Sequence, residues 1–261
     1  MKIITLGTSH GDSTLTRFNS STLYETGGTL YLVDVGAPAE ALLKRQGYSC
    51  GDIRAAFITH MHDDHAGGLT GLLKQITKYG QGRRFKFSLF LPEEKAISAL
   101  QNWFSALHEE ADSPLLEYNA VNDGQIYEDE NISVSAIRTA HLRTLGRTKG
   151  EPCSFAYVLH FKKENKTVLH SGDLCADFSD FPKISTEKYF DVCLCEATHY
   201  QPESAAPILN SAKFGRLIFI HIANCWHDCI PGAFGEKALL SHSNSYPYPV
   251  EIAHDGDVFS L

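Results

Sequence analysis

The segment His60–His65 constrains this chain more than any other feature, since its sequence is His-Met-His-Asp-Asp-His. It follows an apolar run that predicts a buried strand, and it precedes a glycine-containing turn that predicts the start of a helix. Because side chains alternate along an extended segment, His60 and His62 point the same way and can bind one metal ion together. Asp64 and His65 lie just past the strand end, where they can reach a second metal ion.

The length and net charge of the chain indicate how many domains it has and which partners it can bind. A length of 261 residues predicts one sizeable domain, over 1–261. The net charge is −8 and no block of lysine and arginine occurs, whereas proteins that grip a long nucleic acid usually have a basic face. We therefore expect a small-molecule substrate and no long nucleic acid. No apolar stretch approaches the roughly 20 residues that span a bilayer, so no membrane partner is expected.

The cysteines and the first residues favour a cytoplasmic location. Met1–Gly7 is a short β-like run and not a signal peptide. Seven cysteines in such a chain indicate reduced thiols. Cys193 and Cys195 share a face of a predicted strand, and Cys225 and Cys229 are four positions apart. Either pair can bind metal or form a disulfide, but each lacks the second half of a zinc-ribbon pattern, so burial is the prediction for both.

Strand-like runs occur in both halves of the chain, with helix-like segments between some of them. Glu93–His108 predicts an amphipathic helix, and Val250–Ala253 with Val258–Leu261 predicts a closing hairpin. Two strand-rich halves with helices predict two sheets packed face to face with helices outside. A doubly wound sheet is the alternative, but no glycine-rich phosphate-binding motif follows a strand.

The order of the motifs resembles that of the metallo-β-lactamase superfamily. The His-x-His-x-Asp-His segment is accompanied, in the family's order, by four further blocks: Asp34-Val35-Gly36, His141, Ser171-Gly172-Asp173 and Ala253-His254-Asp255-Gly256. The resemblance spans almost the whole chain. It implies an α+β fold, a four-layer αββα sandwich with the site at one edge between the sheets.

The resemblance also implies two divalent metal ions per chain. The implied ligands are His60, His62 and His141 for one ion and Asp64, His65 and His254 for the other, with Asp173 bridging both. His221 competes with His254 for the last position. Imidazoles with a carboxylate suit zinc, with manganese or iron as alternatives. Two such ions about 3.5–4 Å apart make hydroxide available at neutral pH. Asp34 is expected to orient a ligating imidazole.

Two blocks resemble the ribonuclease Z and phosphodiesterase branch of the superfamily. They are Glu196-Ala197-Thr198 and the strand that ends at His221. In that branch a glutamate and a histidine form a proton relay, so His221 is expected as the general acid and Glu196 as the group that orients it. Asp64, Glu196 and His221 are thus the candidate catalytic residues. Arg17, in an early block that also resembles this branch, is either a phosphate contact or structural.

Two departures separate the chain from full-length ribonuclease Z. Ile222 and Ala223 stand where ribonuclease Z has a small hydroxyl pair. Only residues 142–172, 31 positions, lie between His141 and Asp173, which leaves no room for the long arm that grips transfer RNA. The spacing is more similar to that of the small cyclic phosphodiesterases.

The predicted function is a metal-dependent phosphodiesterase that acts on a small or cyclic phosphodiester or a short nucleotide. A lactone or thioester hydrolase is the first alternative, because the same hydroxide attacks a carbonyl and a metal ion stabilises the oxyanion. A metal-bound sensor or binding protein is the second. His199 beside Glu196, and Arg143 and Arg147 after His141, are candidate pocket residues. A homodimer is expected by analogy with relatives.

Overall fold

A computed structural model describes residues 1–80, 85–144 and 153–261. The chain divides into two units, one formed by Met1–Asn122 with His254–Leu261 and the other by Asp123–Ala253. Within the described residues, each unit holds one seven-stranded sheet that mixes parallel and antiparallel strands. The predicted pair of sheets, each with its helices, is therefore observed. The single domain over 1–261 stays a prediction.

The first unit contains strands β1 Lys2–Gly7, β2 Ser21–Thr26, β3 Thr29–Val33, β4 Ile53–Phe57, β5 Phe87–Leu91, β6 Leu116–Ala120 and β14 Val258–Ser260. Its helices are α1 Ala39–Arg45, α2 Asp63–Ala66, α3 Leu69–Tyr79 and α4 Glu94–Ala106, with a 3₁₀ turn at Cys50–Asp52. Strands β3, β4, β5 and β6 are parallel. Because β3 and β4 end side by side, with Val33 paired to Phe57, the residues that follow them meet at one edge of the sheet.

The second unit contains strands β7 Gly124–Glu128, β8 Ile132–Thr139, β9 Ser154–Phe161, β10 Lys166–His170, β11 Val192–Ala197, β12 Leu217–Ile222 and β13 Val250–Ile252. Its helices are α5 His141–Thr144, α6 Ile184–Glu187, α7 Pro202–Ser211 and α8 Glu236–His242, with a 3₁₀ turn at Asn224–Trp226. Strands β8 and β10 both run antiparallel to β9, and β10, β11 and β12 are parallel. Four strands therefore end at the same edge, which gathers the residues that follow them.

In each unit, helices pack against the sheet through an apolar face. On α3, Leu69, Leu72, Leu73 and Ile76 recur at helical spacing and pack into one core with strand residues of the first unit. Leu209 of α7 and Leu239 of α8 do the same in the second unit. Each such side chain contributes roughly 1.5–3 kcal/mol when fully buried. Within 1–80, 85–144 and 153–261, no helix has the length and hydropathy that crossing a bilayer requires.

Two local predictions are wrong. Val250–Ile252 and Val258–Ser260 do not form a hairpin, because the first pairs with β12 in the second unit and the second pairs with β1 in the first. Of the two cysteine pairs, Cys193 and Cys195 are fully buried as predicted. Cys225 and Cys229 are exposed, since the chain leaves the sheet after β12.

Candidate metal centre

The first ligand set, His60, His62, Asp64 and His65, lies where β4 ends and α2 begins. His60 Nε2 is 2.9 Å from His62 Nδ1, and His65 Nε2 is 3.4 Å from Asp64 Oδ2. The rings of His60 and His65 have centroids 4.1 Å apart, and both side chains are buried. The structure thus gathers three imidazoles and one carboxylate at one strand end.

Asp34 holds His65 in a fixed orientation. Its Oδ2 lies 2.7 Å from His65 Nδ1, and its Oδ1 accepts hydrogen bonds from the Thr59 amide at 2.8 Å and the Thr59 hydroxyl at 3.0 Å. A hydrogen on Nδ1 leaves the lone pair on Nε2, which is the arrangement that carboxylates impose on metal-ligating histidines. The geometry fits the role predicted for Asp34.

Close packing against the His60–His65 segment requires a glycine at position 36. A Cβ at this position would lie 2.2 Å from the carbonyl oxygen of Asp64 and 2.7 Å from Cβ of Asn19. The Gly36 amide donates to the Ser20 carbonyl, which fixes the backbone there. The glycine of the Asp-x-Gly block therefore lets the turn after β3 approach the ligand segment.

The second ligand set, His141, Asp173 and His221, follows the ends of β8, β10 and β12, and His199, which follows β11, lies beside it. The Asp173 carboxylate lies among the three imidazoles. Its Oδ2 is 3.7 Å from His141 Nε2 and from His199 Nδ1, and its Oδ1 is 3.5 Å from His221 Nε2. Imidazole nitrogens therefore face both oxygens of the Asp173 carboxylate.

Burial disfavours the protonated form of His141. Desolvation lowers the pKa of His141 from its ordinary value, and the nearby Asp173 carboxylate opposes this shift. Nδ1 lies 3.1 Å from the carbonyl oxygen of Leu174 and donates to it, so the Nε2 lone pair is available. Neutral imidazole is the form that ligates metals.

Glu196 is paired with His199 and not with His221. Both carboxylate oxygens lie 3.0 Å from His199 Nδ1, and the carboxylate also accepts hydrogen bonds from the amides of Leu174, Thr198 and His199. His221 Nδ1 instead contacts the Thr198 hydroxyl at 3.1 Å. The contacts therefore do not support the predicted relay between Glu196 and His221. The Glu-x-x-His spacing is the sequence signal for the observed pair.

Among the described residues, the groups of three or more potential metal ligands within 4.8 Å of one another do not include His254. Its side chain is 54% exposed, with Nδ1 3.5 Å from Asp257, whereas the His221 side chain is 2% exposed and faces Asp173. The neighbouring Asp255 gives the C-terminal block a different role, because its carboxylate accepts hydrogen bonds from the Thr8 amide and hydroxyl and from the Phe18 amide at 2.6–2.8 Å.

The arginines named as candidate substrate contacts differ in burial. Arg17 is 2% exposed, and its Nη1 donates to the Thr8 hydroxyl at 2.6 Å, which agrees with the structural alternative. Arg143 is exposed on α5. Arg147 lies outside the described residues.

The donor chemistry of the two sets fits a divalent metal ion. Each set contains only imidazole nitrogens and carboxylate oxygens. Nitrogen and oxygen atoms of Asp173, His199 and His221 that could bind a metal ion lie within 4.8 Å of one another. Such nitrogen and oxygen donors suit zinc, and also manganese or iron.

Known proteins resemble this chain in sequence and in fold. Ribonuclease Z from Pseudomonas putida (strain W619) is 34% identical over 146 residues, which cover 54% of this chain and 43% of that protein. The chain thus spans less than half the length of this relative. The metallo-β-lactamase fold protein YhfI from Bacillus subtilis superposes with a TM-score of 0.74 at 18% identity, over 99% of this chain and 98% of that one. Human tRNase Z, short form, superposes with a TM-score of 0.74 at 21% identity, over 100% of this chain and 99% of that one.

These similarities confirm the α+β metallo-β-lactamase fold and the resemblance to the ribonuclease Z-like and phosphodiesterase branch. A family model described as Anti-Pycsar protein Apyc1 matches residues 1–205. That match covers well over half of the chain, which therefore belongs to the Anti-Pycsar protein Apyc1 family.

Proposed function

We propose that this protein is a metal-dependent phosphodiesterase that hydrolyses a small or cyclic phosphodiester or a short nucleotide. The observation that carries the proposal is the buried Asp173 carboxylate among His141, His199 and His221, with Glu196 bound to one of these histidines. The relative named ribonuclease Z supports a phosphodiester as the bond that is cleaved. The net charge of −8 favours a small substrate over a long nucleic acid.

The proposed ligands combine the resemblance with the observed placement. His60, His62 and His141 serve one ion, Asp64, His65 and His221 serve the other, and Asp173 bridges them. His221 replaces His254 in this assignment because it is buried beside Asp173 whereas His254 is half exposed. Two zinc ions, or manganese or iron, would supply an activated water and charge stabilisation at the phosphoryl oxygens.

The chain's own residues supply the proton transfers. His199 is 30% exposed, so it can reach a substrate, and the Glu196 carboxylate at its Nδ1 fixes the direction of the ring. We assign His199 as the general acid that protonates the leaving alkoxide. Asp64, whose side chain is 12% exposed, can accept the proton that the attacking water loses. Glu196 orients His199.

The Glu196–His199 pair favours a phosphodiester over the alternatives. An alkoxide leaving group needs a proton, whereas a thiolate leaves with less help. A sensor or binding protein has no use for a positioned acid. Small-molecule specificity, a homodimer and a cytoplasmic location remain predictions.

Hydrolysis assays test the proposal directly. Protein reloaded with zinc or manganese would be given a chromogenic aryl phosphodiester, cyclic nucleotides, short RNA, a lactone and a thioester. We expect metal-dependent cleavage of phosphodiesters that disappears in Asp173→Ala. If no phosphodiester is hydrolysed while the lactone or the thioester is, the proposal is wrong and the lactone or thioester hydrolase is favoured.

A further inference from the structure

Asp180 lies outside both ligand sets and joins the two loops that carry His141 and Asp173. Its Oδ2 accepts a hydrogen bond of 2.7 Å from the amide of Ala140, the residue directly before His141. Its Oδ1 accepts a hydrogen bond of 3.0 Å from the amide of Cys175, two residues after Asp173. One carboxylate therefore links the end of β8 to the loop after β10.

Two other contacts join the same loops. His141 Nδ1 donates to the Leu174 carbonyl at 3.1 Å, and the Thr139 hydroxyl donates to the Asp173 carbonyl at 3.4 Å. Both involve neutral acceptors. The Asp180 bonds are charge-assisted, and such bonds are roughly twice as strong as neutral ones. Asp180 is thus the strongest of these connections.

We infer that Asp180 is a positioning residue that sets the separation of His141 and Asp173 and thereby the metal affinity of the second ligand set. The inference rests on the proposed metal centre. Metal ligands must be held within about 0.5 Å of their working geometry. Loss of a residue that supports ligands typically weakens metal binding by about 10–100-fold.

The contacts of Asp180 require a carboxylate. Each oxygen accepts from the amide of a different loop. An asparagine offers one acceptor oxygen, and its NH₂ group would face a backbone N–H. Asp180→Asn therefore breaks one of the two connections with almost no change in side-chain size.

Asp177 provides a matched control on the same turn. Its Oδ1 bonds to the Cys175 thiol at 2.9 Å and accepts from the Ser179 amide at 3.1 Å, so these bonds stay within the turn. Asp177→Asn removes the same charge at nearly the same place. It leaves the bonds to Ala140 and to the Cys175 amide intact.

The experiment measures zinc affinity in demetallated wild type, D180N, D180E and D177N, by competition with a chelator of known affinity. Far-ultraviolet circular dichroism and the apparent Tm of each metal-free protein show whether it is folded. We expect D180N to bind about 10–100-fold more weakly and D177N to bind like the wild type. D180E, which keeps both acceptors, should fall between wild type and D180N.

Equal affinities of D180N and wild type would overturn the inference. So would an equal loss in D177N, since it would indicate a general effect of the turn, or a D180E variant weaker than D180N. If D180N does not fold, the comparison of D180E with D177N carries the test. A wild-type protein that binds no zinc, manganese or iron would instead refute the proposed metal centre.

Discussion

Glu196 and His199 lie three residues apart, and both carboxylate oxygens of Glu196 are 3.0 Å from His199 Nδ1. The same carboxylate accepts hydrogen bonds from the backbone amides of Thr198 and His199, so the backbone fixes its position. A histidine held in this way presents its other nitrogen in one direction. This relationship decides which residue we test first as the proton donor.

His199→Ala is expected to lose about 10²–10⁴-fold in turnover, the usual contribution of a general acid, while it keeps its bound metal. The loss should be smaller for an aryl phosphodiester than for a cyclic nucleotide, because an aryloxide leaves without a proton. Turnover on both substrates and the metal content of the protein check this. Equal losses on both substrates would contradict an acid role.

His221→Ala is expected to lose one metal equivalent per chain, and His254→Ala is expected to lose none. The physical reason is that His221 is buried against Asp173 whereas His254 is half exposed beside Asp257. Elemental analysis of the two purified variants measures this. Two retained equivalents in His221→Ala, with one lost in His254→Ala, would restore the assignment that the resemblance implies.

Asp255→Ala is expected to lower the free energy of unfolding by about 3 kcal/mol, since it leaves three donors unpaired, two on buried Thr8 and one on half-buried Phe18. Urea unfolding measures the change. His254→Ala, one position away and exposed, is the control and should stay within about 0.5 kcal/mol of wild type. Similar losses in both variants would show that Asp255 has no special role.

Buried and exposed cysteines are expected to differ in their reactivity towards a thiol reagent. Desolvation raises the pKa of Cys195 to about 12 and that of Cys193 well above its ordinary value. Only about 10⁻⁴ of Cys195 is thiolate at pH 8, and this fraction rises tenfold with each pH unit up to that pKa. We expect Cys225 and Cys229, both exposed, to react with a thiol reagent at pH 8 and Cys193 and Cys195 to react only after unfolding. Mass mapping of the labelled positions decides this.

The proximity of the four residues in the first ligand set could be predicted from sequence because they lie within six consecutive residues. Strand alternation and the turn that follows are local properties, and they place His60, His62, Asp64 and His65 together. The glycine of the Asp-x-Gly block is explained by a contact between neighbouring strand ends, since the turn after β3 approaches this segment closely.

The second ligand set depends on features that sequence patterns do not contain. The register of β11 and β12 shifts between Glu196 and Ala197, and His221 has a positive φ of 49°. These features decide that Glu196 meets His199 and that His221 faces Asp173. The hairpin predicted at the C-terminus was wrong for a similar reason, because the choice of strand partner is a long-range event.

The contacts of Asp255 have a consequence for the order in which the chain folds during synthesis. Its carboxylate binds Thr8 and Phe18, which precede it by 247 and 237 positions. Residues 1–122 of the first unit are translated before the second unit, whereas Asp255 and the edge strand β14 are translated after it. The first unit therefore stays incomplete, with its His60–His65 segment already synthesised, until translation of the second unit has finished.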